Sequence, residues 1–169
     1  MQAQSKVQAT KGRRNRHEGF SLIELIVVVA VILIIAAIAI PNFIKSKMRA
    51  NEAAAVHNLR NITTAEVVYA STYGIGFTPD LPKLSGSGIT VDQDNAGLID
   101  EVLATGTKSG YVFSYAVLTT DPQGHVTSYA IAADPLLVGT SGQRHFYTDQ
   151  TSVIRSNDAT AAGPSDSPI

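Results

Sequence analysis

One acid interrupts the longest apolar stretch of this chain. From Phe20 to Ile40 every residue is apolar except Ser21 and Glu24, and from Leu25 to Ile40 the run LIVVVAVILIIAAIAI is unbroken. A helix needs about 20 such residues to cross a hydrocarbon core of ~30 Å, so the stretch reads as a spanning helix. A carboxylate in a bilayer costs on the order of 2.5 to 3.5 kcal/mol at the midplane and less near the edge. A segment serving only as an anchor would gain by losing Glu24, so some group must meet that charge.

With 169 residues and 17.9 kDa, the chain has room for one membrane segment and one modest domain. The formal net charge of −1 conceals an asymmetry: Lys6, Lys11, Arg13, Arg14 and Arg16 stand against Glu18 alone in the first nineteen residues. From Gly74 onward four basic side chains face ten acidic ones, which repels phosphate and indicates no direct nucleic-acid binding. The absence of cysteine excludes a disulfide frame, a thiolate nucleophile and a Cys metal site. A basic leader before an apolar run has the outline of a secretory signal. This run, however, is too long for an h-region and lacks a small-x-small cleavage site at its far end. Lys11, Arg13, Arg14 and Arg16 flank one end and Lys45, Lys47 and Arg49 the other, a slight bias toward a cytoplasmic N-terminus.

The segment Arg16-His17-Glu18-Gly19-Phe20-Ser21-Leu22-Ile23-Glu24-Leu25 resembles the prepilin signature of type IV pilins and the related secretion pseudopilins. Pro41, at the end of the apolar run, matches the helix-bending proline of that family. The resemblance implies that residues 1–19 are a leader, that prepilin peptidase cuts between Gly19 and Phe20, and that Phe20 becomes the N-methylated first residue. It also implies partners: further copies in a helical homopolymer, an inner-membrane assembly platform and minor pilins. The chain would begin in the inner membrane as a single-pass protein with a cytoplasmic N-terminus and end in an extracellular pilus.

Glu24 then has two readings. An acid near a helix start is favoured by the macrodipole, worth about 0.3 to 1 kcal/mol, and can stay wet at the membrane surface. Alternatively, cleavage creates an ammonium on Phe20, and stacked helices set Glu24 beside the Phe20 amine of a neighbouring subunit, where the two charges neutralise one another. The surrounding motif favours this second reading, in which Phe20 and Glu24 are the assembly residues.

Beyond Pro41 the helical pattern continues. Ile44, Met48, Ala55, Leu59, Ile62, Tyr69 and Tyr73 recur at steps of three, four or seven, leaving Lys45, Lys47, Arg49, Glu52, Arg60 and Glu66 for the other faces. Residues 20–41 are read as the spanning half and 42–73 as the amphipathic half of one helix. Pro41 cannot donate to the Ala37 carbonyl, so a bend or a local loss of helix in the assembled state is expected there.

Gly74-Ile75-Gly76 stops the helix, and a loop over 74–91 follows with Pro79, Pro82, Gly86 and Gly88. A short helix is expected from Asn95 to Ala104, with Leu98, Ile99, Val102 and Leu103 as its apolar side and Gly106 as its stop. Alternation at Tyr111, Phe113, Tyr115 and Val117 predicts a strand, Asp121-Pro122-Gln123-Gly124 a type I turn, and Val126–Ala132 the return strand. Arg144–Thr148 and Ser152–Arg155 flank a turn at Asp149-Gln150. Thr140 to Arg155 also resembles, more weakly, the last hairpin of some pilin-like proteins. Residues 74–156 would form the globular part and 157–169, rich in Ala, Gly, Ser, Pro and Asp, a mobile tail. The fold class is α+β, a long helix packed on a small, about four-stranded antiparallel sheet: the pilin fold that the resemblance implies.

Catalytic and metal constellations fail on spacing. Asp92-Gln93-Asp94-Asn95-Ala96-Gly97 begins like a calcium loop, but Ala96 and Leu103 occupy ligand positions. Asp134, Asp149, Asp158 and Asp166 do not cluster in sequence. His17, His57, His125 and His145 are scattered, and no serine lies in a nucleophile elbow. No enzyme, cofactor or metal site is expected. The reading is a structural subunit that polymerises into a pilus for adhesion or motility. The alternatives are a pseudopilin of a type II secretion or DNA-uptake system and, from another class, a single-pass membrane-anchored binding or sensing domain.

Overall fold

The computed structural model describes residues 20–86 and 90–169. Residues 1–19, including Gly19, and residues 87–89 lie outside the described residues. Helix α1 spans Leu22–Tyr73 and passes through Pro41 without losing its helical assignment. It ends at Gly74, whose φ of 67° is open to glycine. The chain divides into two compact units between Ala39 and Ile40. In the first, the large apolar side chains of the helix are all exposed, Phe20 at 88% among them.

The second unit, Ile40–Ile169, packs the later part of α1 against a sheet. Its strands are β1 (Thr107–Lys108), β2 (Tyr111–Thr120), β3 (Val126–Pro135), β4 (His145–Asp149), β5 (Arg155–Asn157) and β6 (Ser167–Pro168). They are antiparallel and neighbour one another in chain order. Ala55, Leu59, Ile62 and Tyr69 from α1 meet Tyr111, Phe113, Tyr129, Ile131 and Phe146 from the sheet, with Leu81, Leu84 and Leu103 closing the core. Each large apolar side chain so buried contributes about 1.5–3 kcal/mol.

The sheet has six strands where about four were expected. The two extra members are two-residue edges too short to carry an alternating pattern. β6 lies within residues 157–169, the stretch expected to be a mobile tail, and pairs there with β5. The Asp166 carboxylate accepts from Gly163 N (2.8 Å) and Asn157 Nδ2 (3.0 Å), and Arg155 Nη1 donates to the Asp166 carbonyl (2.8 Å). Such side-chain bonds hold a polar tail that composition alone makes look loose.

The expected helix over Asn95–Ala104 shrinks to α2, Glu101–Ala104. Gly97 takes φ 66°, and Asp100 caps the helix by accepting from Leu103 N at 3.0 Å. Leu103 and Ile99 are buried as expected, whereas Val102 is exposed. The hairpin turn is as read from sequence: Gly124 N donates to the Asp121 carbonyl (3.0 Å), and Asp121 Oδ1 accepts from Gln123 N and His125 N. The last hairpin runs one residue later in β4 and resumes only at Arg155, because Asp149 turns the chain by accepting from Thr151 N and Ser152 N.

Two acids assigned by their charge to the outer faces of α1 are buried. Glu66 is fully enclosed: Oε2 accepts from Thr78 N (2.9 Å) and Oε1 from Thr78 Oγ1 (2.5 Å), while Tyr115 donates to the Thr78 carbonyl (2.8 Å). Glu52, 7% exposed, accepts from Gln143 N (2.9 Å), Arg144 N (3.3 Å) and Arg144 Nε (2.9 Å). Both stand in the buried stripe, completing Glu52, Ala55, Leu59, Ile62, Glu66, Tyr69 and Tyr73 at alternating steps of three and four.

Their environments act in opposite directions. Burial pushes the Glu52 carboxyl up, but the Gln143 and Arg144 donors outweigh it and hold the group below its ordinary value of 4.5. Burial raises the Glu66 carboxyl despite the Thr78 donors. A depressed folded-state value adds stability that is present above pH 4.5 and lost as pH falls through the folded value. A raised one adds stability present below pH 4.5 and lost as pH climbs through the elevated value. Urea unfolding of Glu66→Gln is therefore expected to lose less stability than the parent between pH 4.5 and pH 8. Glu52→Gln is expected to flatten the acid limb below pH 4.5. A further expectation concerns Thr148, whose buried Oγ1 has no hydrogen-bond partner among the described residues. Thr148→Val should raise the free energy of unfolding by about 1 kcal/mol, and a loss of that size would reveal a partner for the hydroxyl.

Candidate assembly site

Ser21 precedes the first helical residue, and Glu24 Oε2 accepts from Ser21 N at 2.9 Å. The pair has the spacing of a capping box, S-x-x-E, in which the acid answers an orphan N–H at the helix start. The sequence reading missed this signature, although Ser21-Leu22-Ile23-Glu24 displays it. Glu24 thus has a local partner through one oxygen while its side chain remains exposed.

Phe20, Ile23, Glu24, Val27 and Val28 border a single open recess on one helix face, four apolar side chains around one acid. Phe20, Ser21 and Glu24 are brought together by the first turn; Pro41 lies five turns on, exposed and inside the helix. Gly19, the other residue of the expected processing site, lies outside the described residues. α1 is long and apolar enough to cross a membrane, and among the described residues none of its apolar window is buried. That exposure is what a segment surrounded by lipid or by other protein chains presents.

Elsewhere the chemistry-bearing groups are engaged locally. Asp92 Oδ1 accepts from Asp94 N and Asn95 N, and Asp94 pairs with Lys83 at 2.8 Å, so the loop that begins like a calcium site is closed by its own backbone. His125 pairs with Asp121 and His145 with Asp134, on separate hairpins. No group of three potential metal-ligating side chains forms among the described residues.

A long helix continuing from an apolar stem into an α+β unit, packed there on an antiparallel sheet, defines a pilin-type subunit. Residues 14–40 match the prokaryotic N-terminal methylation motif. Over 73 residues, 38% of this chain, the sequence is 45% identical to the type IV major pilin protein PilA of Myxococcus xanthus. It spans about a third (33%) of that protein's length. It is 37% identical over 119 residues to a fimbrial protein of Pseudomonas aeruginosa, covering 60% of this chain and 77% of that one. A shorter match, 38% over 52 residues, joins 31% of this chain to 40% of the type IV wide pilus major component PilA4 of Thermus thermophilus. No solved structure matches the chain significantly. The chain belongs to the type IV pilin family and carries its prepilin-type signature.

Proposed function

We propose that the chain is made as a single-pass inner-membrane precursor with its N-terminus in the cytoplasm. Prepilin peptidase cuts it between Gly19 and Phe20, Phe20 is N-methylated, and copies polymerise into a helical extracellular pilus. The observation that carries this reading is the apolar stem of α1, which is not buried by any of the described residues and bears a single carboxylate at its start. In the membrane, lipid covers it. In a filament, the stems of other copies do, and the gain comes from close packing, since lipid tails and protein are similarly apolar.

Cleavage frees an ammonium on Phe20, one helical turn from Glu24. In a stack of copies the Glu24 carboxylate of one stem neutralises the Phe20 amine of the next, a pairing that lets both charges leave water together. The capping bond to Ser21 occupies one carboxylate oxygen and leaves the other for that amine. Pro41, lacking its amide donor, is the point where the helix yields most cheaply when subunits are drawn into the fibre. An inner-membrane platform and minor pilins are the further partners. The names of the relatives, pilus and fimbrial proteins, support a fibre rather than a short secretion piston.

Intact-mass and N-terminal analysis of sheared surface filaments is expected to give a subunit beginning at N-methylated Phe20; filaments built from chains that retain residues 1–19 would overturn the processing step. Glu24→Gln keeps a cap-competent side chain but removes the charge, whereas Glu24→Ala removes both. Breaking a buried ion pair by removing one partner costs about 3–5 kcal/mol, so both variants are expected to remain in the membrane while filament yield falls more than tenfold. Wild-type yield from Glu24→Gln would reduce the acid to a capping role.

A further inference from the structure

Two exposed features lie close together where α1 enters the second unit. The first is basic: Lys45, Lys47 and Arg49 are exposed, and none forms an ion pair among the described residues. They follow Phe43 and Ile44, both exposed apolar side chains. At 1.5 Å per residue the three cations fall within about 8 Å of Ile44 along the helix, close to the depth of one headgroup layer.

The second feature is apolar. Leu136, Leu137 and Val138, in the loop after β3, are 56%, 62% and 58% exposed. The loop is built to present them. Leu136 N donates to the Gly110 carbonyl (2.9 Å), Leu137 N to Ser141 Oγ (2.9 Å), Ser141 N to the Leu137 carbonyl (2.9 Å) and Gly139 N to the Gly142 carbonyl (2.9 Å). Asn51 Nδ2, half a turn beyond Arg49, donates to the Ser141 carbonyl (2.7 Å), and Glu52 holds Gln143 and Arg144. A loop held at both ends and across its middle cannot fold these three side chains into the core.

We propose that this base is a membrane-docking surface for an anionic leaflet: the 136–138 loop inserts at headgroup depth while Lys45, Lys47 and Arg49 meet lipid phosphates. Charge complementarity selects this occupant. Lys45, Lys47 and Arg49 are three of the eight basic side chains from Phe20 onward and fall within five residues, whereas the part from Gly74 onward carries four basic against ten acidic groups, so the cations of α1 supply the attraction and the aliphatic loop beside them the insertion. An apolar element beside basic side chains is the pattern that binds lipid interfaces. Docking would hold the folded unit against the outer face of the membrane before extraction, and it rests on the membrane-anchored stage proposed above.

The cysteine-free sequence permits single-site labelling of the full chain, reconstituted at low density in vesicles of phosphatidylcholine and phosphatidylglycerol. Leu137→Cys, Leu118→Cys on the far part of the hairpin and Val31→Cys in the stem would each carry an environment-sensitive fluorophore. At 137 the expected result is several-fold weaker quenching by aqueous iodide than at 118, together with quenching by a headgroup spin-labelled lipid. Both effects should disappear in phosphatidylcholine vesicles and in the combined Lys45→Gln, Lys47→Gln, Arg49→Gln variant. Equal iodide access at 137 and 118, with 31 shielded, would overturn docking and leave the anchor intact; iodide access at 31 would overturn both. Shielding at 137 that rises with protein density and survives without phosphatidylglycerol would overturn lipid docking in favour of a contact between copies.

Discussion

The apolar stem of α1 is not buried by any of the described residues, and that exposure sets what the protein needs from its surroundings. Some twenty residues of aliphatic surface cannot remain in water, and a helix pairs its own interior backbone apart from the donor that Pro41 lacks, so lipid or a bundle of like stems are the environments that suit it. A single chain cannot close this account, whereas a polymer can. The acid at position 24 sharpens the requirement. Satisfied in part by Ser21 N, it still carries a charge that a purely apolar bundle would exclude unless a cation arrives with it.

The second unit is built on the later part of α1. One stripe of α1 supplies the core contacts, and two acids in that same stripe tie loops to it. Glu66 fixes the chain just after the helix through Thr78, and Glu52 fixes the loop before β4 through Gln143 and Arg144. Glu52 is held as an anion by surplus donors, while Glu66 sits in a site that disfavours its charge. The Glu52 tie, with Asn51, also anchors the segment after β3 in which Leu136 to Val138 stay at the surface.

Features governed by neighbours in sequence were legible. Gly74 ends the helix, and Asp121 to Gly124 makes its turn, because each depends on a few consecutive residues with matching backbone preferences. The buried stripe was legible in period and misread in chemistry: the gaps of seven between Met48 and Ala55 and between Ile62 and Tyr69 were the places of Glu52 and Glu66. Charge was taken as a sign of exposure, yet each acid finds its donors in a loop distant in sequence. The helix over 95–104 failed because an Asp100 cap and a left-handed Gly97 outweighed an apolar pattern. The C-terminal edge strand escaped notice because Asp166 supplies its order through side-chain bonds.

By itself the sequence determined the stem, its lone acid, the leader motif and the class of the fold, since hydrophobic period and short motifs act locally and persist in any context. Only the tertiary structure decided which polar groups turn inward, how far the sheet extends at its edges and which aliphatic side chains stay outside. Those outcomes depend on donors and contacts brought together from residues up to 92 positions apart, as between Glu52 and Arg144, and no local pattern records them.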